Sequence, residues 1–170
     1  MDRGRTERSP MMRLAVCGLY CGACYHYRAG QPGGEHLLAD EARGGRPLAG
    51  YICEGCRSDR LYVHSNCATC ELRACAEARG IPHCGECADL PCETLLRFQN
   101  DGRKHHVDVV ATLRKIADEG AEVWLRAQAR RWSCPSCGAP FSWYEVQCHV
   151  CGADLPSYGS DEPVGGDAAA

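Results

Sequence analysis

The sequence predicts a small, metal-stapled α+β protein: an irregular cysteine-rich module with short helices, two amphipathic helices, then a zinc-ribbon hairpin. Three observations carry this. Fifteen of the 170 residues are cysteine. Two stretches share one spacing: Cys53-x-x-Cys56 and Cys67-x-x-Cys70 with ten residues between, and Cys134-x-x-Cys137 and Cys148-x-x-Cys151 with ten residues between. Two such hooks at that separation can close four thiolates tetrahedrally around one zinc ion. Finally, Leu, Ile, Val and Phe make up only 27 residues, too few for a self-sufficient core, while a net charge of -3 is too small to imply disorder throughout. Metal staples resolve the conflict, because a structural zinc site contributes roughly 10–16 kcal/mol to folding, as much as a whole domain's net stability. The metal-free chain is expected to be largely unfolded.

The odd cysteine count, the Cys-x-x-Cys hooks and the polar opening MDRGRTERSP, which is unlike a secretion signal, argue against a disulfide scaffold. A reducing cytoplasm is the expected location. No apolar run approaches the roughly 18 residues of a membrane span. The charge of -3 counts cysteine as neutral; three closed four-thiolate zinc sites would take the folded protein to about -9. The stretch 97–131 runs the other way, with eight Lys/Arg against five Asp/Glu. That is a mild excess, more in keeping with a solvated helix face than with a nucleic-acid patch.

In chain order, 1–12 reads as a disordered leader, with Met11 or Met12 as an alternative start. A cysteine-rich metal-binding module covers 13–99. Within it, Glu35 to Arg43 is a short helix between Gly/Pro-rich flanks, and Glu71 to Arg79 is another, stopped by Gly80 and Pro82. Cys92 to Gln99 forms a third, ended near Asn100-Asp101-Gly102. The helical segment 100–132 follows. Val109, Val110, Leu113, Ile116 and Ala117 recur at three-to-four spacing, Gly120 interrupts, and Ala121, Trp124, Leu125, Gln128 and Trp132 share one face of a second helix. Residues 133–155 form the zinc ribbon, with strand-like Phe141 to Val146 between its hooks, and 156–170 a disordered tail.

The C-terminal quartet Cys134, Cys137, Cys148 and Cys151 is the clearest metal site, since Gly138 and Gly152 permit the positive φ of a zinc knuckle. Cys53, Cys56, Cys67 and Cys70 form a second quartet by the same spacing. Cys75, Cys84, Cys87 and Cys92 remain as a third, Cys92 at a helix start that favours a thiolate. The alternative grouping joins Cys70 to Cys84 and Cys87. Cys17, Cys21 and Cys24 have the spacing of a radical-SAM cluster, but the chain is too short for the barrel such chemistry uses. Their site is either structural, completed by another cysteine or a histidine such as His26, or open with water as fourth ligand. His64, His83 and His149 also lie near cysteines. No Ser-His-Asp order, phosphate loop or dinucleotide fingerprint appears.

The strings CGLYCGACYHY, YICEGCRSD and CATCELRACAEARGIPHCGECADLPCETL resemble the cysteine-rich prokaryotic family named domain of unknown function 3795. The string WLRAQARRWSCPSCGAPFSWY is similar to the zinc-ribbon extension of its longer members. The resemblance spans roughly 12–155 and implies a small metal-binding protein without implying an activity. The Gly/Pro-rich stretch 29–50 departs from it, where members have a longer helix. About three or four zinc ions are expected, with an iron–sulfur cluster as the alternative at the triad. The leading functional expectation is a non-enzymatic adaptor or regulator that meets a protein partner through Trp143-Tyr144, Trp124 and Trp132. Alternatives are a nucleic-acid-binding ribbon protein and an iron–sulfur or thiol redox protein using Cys17, Cys21 and Cys24.

Overall fold

The computed structural model describes residues 9–43, 53–61 and 66–159. The start of the expected leader, most of the expected tail, the Gly/Pro-rich stretch from 44 to 50 and His64 lie outside the described residues. Six α-helices are present among those described: α1 Tyr25–Ala29, α2 Glu35–Arg43, α3 Glu71–Arg79, α4 Glu93–Gln99, α5 Val109–Glu119 and α6 Ala121–Arg131. Short 3-10 turns join them, at Cys21–Ala23 and Cys84–Glu86 among others. None of these helices is long and apolar enough to cross a membrane.

Local chemistry sets the helix ends. Gly80 closes α3 in the left-handed conformation (φ 65°), and the Ile81 amide donates back to the Ala76 carbonyl, satisfying a group that the helix leaves open. Gly120, at φ 86° and ψ 144°, breaks α5 from α6. Along α5 the buried residues are Val109, Val110, Leu113 and Ile116, at the helical period. Ala117, expected on that face, is exposed. On α6 the buried face is Trp124, Leu125 and Gln128, continued by Trp132.

The expected α+β class and the zinc-ribbon hairpin are corrected by the structure. The described residues contain no β-strand, only isolated bridges at Leu14 with Tyr20, Ser133 with Pro140 and Gln147 with Asp154. The segment from Phe141 to Val146 makes only scattered pairings: the Val146 and Trp143 carbonyls accept from the Leu155 and Tyr158 amides, while other groups bond outside that pairing. The Phe141 amide donates to Trp132, the Trp143 amide to Ala23, and the Trp143 carbonyl accepts from Tyr158. Ser142 and Glu145 then close a tight turn: the Glu145 amide donates to the Ser142 carbonyl, and the Glu145 carboxylate accepts from the Ser142 amide.

Two apolar cores result. One gathers Leu14, Tyr20, Ala23, Ile116, Trp124, Leu125, Trp132, Phe141 and Trp143 with Cys134, Cys148 and Leu155. The other gathers Ala15, Val16, Leu72, Leu95, Val109 and Leu113 with Cys17, Cys21, Cys56 and Cys84. Segment 14–23 supplies residues to both, and α5 lies between them. The tight loop in this segment leaves room only for glycine at position 18, where φ is +90° and a Cβ would meet Leu113 Cγ at 2.8 Å. The expected aromatic anchors prove to be core: Trp124, Trp132 and Trp143 are all buried, and only Tyr144 is exposed. Trp143 is held inside by its two backbone bonds and by stacking on His105, ring centroids 4.2 Å apart.

Candidate metal centre

The C-terminal site is built from one local design used twice. In Ser133 to Pro140 and again in Gln147 to Asp154, the first cysteine amide donates to an alanine carbonyl (Cys134 to Ala139, Cys148 to Ala153, both 2.8 Å). The glycine amide returns to that cysteine's carbonyl (Gly138 to Cys134, Gly152 to Cys148, both 2.8 Å). Gly138 and Gly152 take φ 77° and 73°, a conformation costing a side-chain-bearing residue roughly 1 kcal/mol or more. Each loop thereby presents two sulfurs on one side, the first buried and the second exposed.

The four sulfurs converge. All ligand atoms of Cys134, Cys137, Cys148 and Cys151 lie within 4.8 Å of one another. Cys134 and Cys151 sulfurs are 3.7 Å apart, and Cys137 and Cys148 sulfurs 3.6 Å. A disulfide would need about 2.0 Å. A tetrahedral centre with metal–sulfur bonds of about 2.3 Å has edges of about 3.8 Å, so the donors are spaced for one metal ion. Electrostatics agree. Desolvation opposes ionisation of Cys134, but the amides of Cys137 and Ser136 and the neighbouring thiols outweigh it and bring Cys134 down to about 6. Cys137 accepts from the Ala139 amide, yet desolvation and then its three thiol neighbours push it up to about 12. Four sulfurs this close share charge poorly among themselves; a cation stabilises all four as thiolates.

The other eleven cysteines fall into two neighbourhoods. Cys75, Cys84, Cys87 and Cys92 line one cavity of about 30 Å³, walled by Leu72, Ala76, Leu90 and Leu95. Burial pushes the Cys84 thiol up to about 12, with further contributions from Cys92, Cys75, Cys87 and also Cys70, the partner in the alternative grouping. Arg79 donates to the Cys87 sulfur at 3.1 Å and to Asp89 at 2.6 Å. Cys17, Cys21 and Cys24 lie beside the Cys53 to Cys70 hooks. Burial raises the Cys17, Cys21 and Cys24 thiols, and cysteine neighbours add to it: Cys56, Cys70 and Cys67 at Cys17, Cys24 and Cys56 at Cys21, Cys53 and Cys56 at Cys24.

Backbone amides face these sulfurs as they do in the C-terminal quartet. Leu19 donates to Cys17, Cys56 to Cys21, Tyr27 and His26 to Cys24, and Val16 to Cys56. Such donors favour thiolate over thiol. Among the described residues, however, no three sulfurs of either neighbourhood converge within 4.8 Å as the C-terminal four do. Cys53, Cys56, Cys67 and Cys70, grouped by their spacing, are also electrostatic neighbours of the triad.

The histidines sort differently. His83 Nδ1 accepts from the Gly85 amide, and His106 pairs with Asp101 at 3.0 Å. His149 joins His36 and Glu145 in a second group of donors within 4.8 Å. Sequence reasoning missed His36 and Glu145, because 109 residues separate them and neither has a spaced partner.

These features define a small, helix-rich, cysteine-rich protein with a four-thiol site able to hold a metal ion. The chain belongs to the family described as protein of unknown function (DUF3795), which matches residues 13–97. The C-terminal quartet lies beyond the matched region. No curated protein and no solved structure matches the chain.

Proposed function

We propose that this chain is a structural zinc protein of the cytoplasm, a non-enzymatic adaptor or regulator that presents a folded surface to a protein partner. The observation that carries this is the closed donor set of Cys134, Cys137, Cys148 and Cys151, spaced 3.6–3.7 Å across its measured pairs. Four sulfurs saturate a tetrahedral ion and leave no position for substrate. Zinc is the occupant that four thiolates in tetrahedral array favour. Cys75, Cys84, Cys87 and Cys92, gathered on one cavity, hold a second ion in this reading. Cys17, Cys21, Cys24, Cys53, Cys56, Cys67 and Cys70 hold the remaining one or two.

The partner surface centres on the C-terminal loops, where Tyr144, Val146 and Val150 are exposed although the tryptophans are not. Solvated apolar side chains on a rigid metal-held loop provide contact area at little ordering cost.

Elemental analysis of anaerobically purified protein, with a visible spectrum of the same sample, tests the reading. About three or four zinc per chain and no visible absorbance are expected. Iron with acid-labile sulfide and a brown colour would replace it with a redox reading centred on Cys17, Cys21 and Cys24.

A further inference from the structure

Outside the thiols, one cluster of metal-ligating side chains stands out. His36 on α2 and Glu145 and His149 on the C-terminal loops bring their donor atoms within 4.8 Å of one another. His36 Nε2 is 2.6 Å from Glu145 Oε1, and His149 Nδ1 is 3.8 Å from the same oxygen. The two imidazoles stack, centroids 3.9 Å apart and planes 17° apart. We propose that His36, Glu145 and His149 form a second, solvent-open metal site that takes a divalent transition-metal ion, with water completing its coordination.

Distance decides in favour of a shared ligand. Donors on one tetrahedral ion, with metal–nitrogen and metal–oxygen bonds of about 2.0–2.1 Å, sit roughly 3.3 Å apart. The observed 2.6 and 3.8 Å bracket that spacing, and turning one imidazole out of the stack brings one ion into both ring planes. A hydrogen bond alone explains His36 with Glu145. His149 is held there by stacking on His36 and stands too far from the carboxylate for a hydrogen bond, so its donor nitrogen is not engaged by Glu145.

The donor set also fits by chemistry. Two imidazoles and one carboxylate suit zinc, cobalt or nickel, whereas calcium and magnesium prefer oxygen alone. The His149 ring stacks on His36 and lies beside the Glu145 carboxylate. The charges reaching it from neighbouring elements are the carboxylates of Glu145 and Glu35 and the guanidinium of Arg28. Two negative charges against one positive leave the site receptive to a cation.

The carboxylate is oriented in advance. Its second oxygen accepts from the Ser142 amide, so Oε1 is the atom turned toward the histidines and paired with His36. That kind of outer hydrogen bond fixes a ligand and raises affinity. Unlike the four-sulfur centre, this one offers three protein donors, on side chains that are partly exposed: His36 32%, His149 21% and Glu145 12%. Its metal is therefore exchangeable and reachable by small ligands. It also bridges α2, inside the family region, to a loop beyond it.

The site depends on the loop that carries Cys148 and Cys151, so the test keeps those thiols loaded. The full chain, with zinc in its thiolate sites and unbound zinc removed, is titrated with cobalt(II) and followed by visible absorption and zinc content. One further cobalt per chain is expected, with weak ligand-field bands and without thiolate-to-cobalt charge transfer. His36→Gln and His149→Gln should each abolish that uptake while zinc content stays unchanged. If His149→Gln disturbs the loop, His36→Gln decides the matter, because His36 sits on a different element. Absence of the extra cobalt, uptake that survives His36→Gln, or uptake accompanied by thiolate charge transfer and zinc release would overturn the proposal. A chain purified without zinc in the C-terminal thiols would instead contradict the structural-zinc reading, and the zinc measurement separates the two failures.

Discussion

At the scale of single residues, Gly18 and Gly33 form a matched pair. Both have positive φ, 90° and 78°, but only at Gly18 would a Cβ collide with a neighbour, Leu113 at 2.8 Å. Alanine at either site meets a backbone penalty of roughly 1 kcal/mol, and at position 18 overpacking adds about 1–3 kcal/mol. Gly18→Ala should therefore lower the thermal midpoint clearly more than Gly33→Ala; equal shifts would mean that Leu113 yields freely. His105 makes a second residue-scale prediction. Desolvation, with the neighbouring charges of His106 and Arg103, lowers its pKa to about 3, against about 6.5 in an unfolded chain. The folded value is depressed, so the stability present above about 6.5 drains away as pH falls from there towards 3. His105→Phe preserves a ring against Trp143 and removes the titration. Its melting temperature should drop less between about pH 7 and pH 5 than that of the parent, and parallel drops would remove His105 from the account.

Among the elements, the paired loops of the C-terminal site make exposure a poor guide to importance. Cys151 is exposed and Cys148 buried, and an exposed substitution ordinarily moves stability by within about 0.5 kcal/mol. In the proposed structural-zinc reading, Cys151→Ser should release one metal ion and destabilise by several kcal/mol, nearly as much as Cys148→Ser, because each would remove one of four ligands. Calorimetry with metal analysis would check this, and a Cys151→Ser protein with full metal content would refute it. The loops are legible in the sequence because Ser133 to Pro140 and Gln147 to Asp154 repeat one Cys-x-x-Cys-Gly-Ala pattern. The helices α3, α5 and α6 are legible from their punctuation by Gly80 and Gly120 and from apolar period. The expected hairpin does not lengthen into strands for a physical reason: Phe141-Ser142-Trp143 has strand-like composition, but the Phe141 and Trp143 amides are taken by Trp132 and Ala23. Those partners lie up to 120 residues away in sequence, and composition carries no record of them.

For the molecule as a whole, the two cores meet through segment 14–23 and α5, so their stabilities are coupled. Each core contains cysteines, Cys134 and Cys148 in one and Cys17, Cys21, Cys56 and Cys84 in the other. Stripping metal should therefore abolish helicity and tryptophan burial together in one transition. Circular dichroism and fluorescence during chelation would report it, and two separated transitions would show that the cores fold independently. At this scale the sequence is least informative. The approach of Cys17, Cys21 and Cys24 to the Cys53 to Cys70 hooks, like that of His36 to Glu145, is a long-range outcome that no local spacing encodes.

The sharing of segment 14–23 also bears on how the chain is made. Leu14, Tyr20 and Ala23 leave the ribosome early, yet Trp124, Trp132, Phe141 and Trp143, against which they pack, are synthesised more than 100 residues later. Until then the nascent family region carries an uncovered apolar face. A chain ended at residue 97 should hold its early cysteines yet aggregate or bind a dye for apolar surface more strongly than the full chain. A soluble, dye-silent fragment would show that the early segment finds another cover. Residues 124–143 are in this sense the lid of 14–23, and a ribosome stalled between them would hold the molecule open.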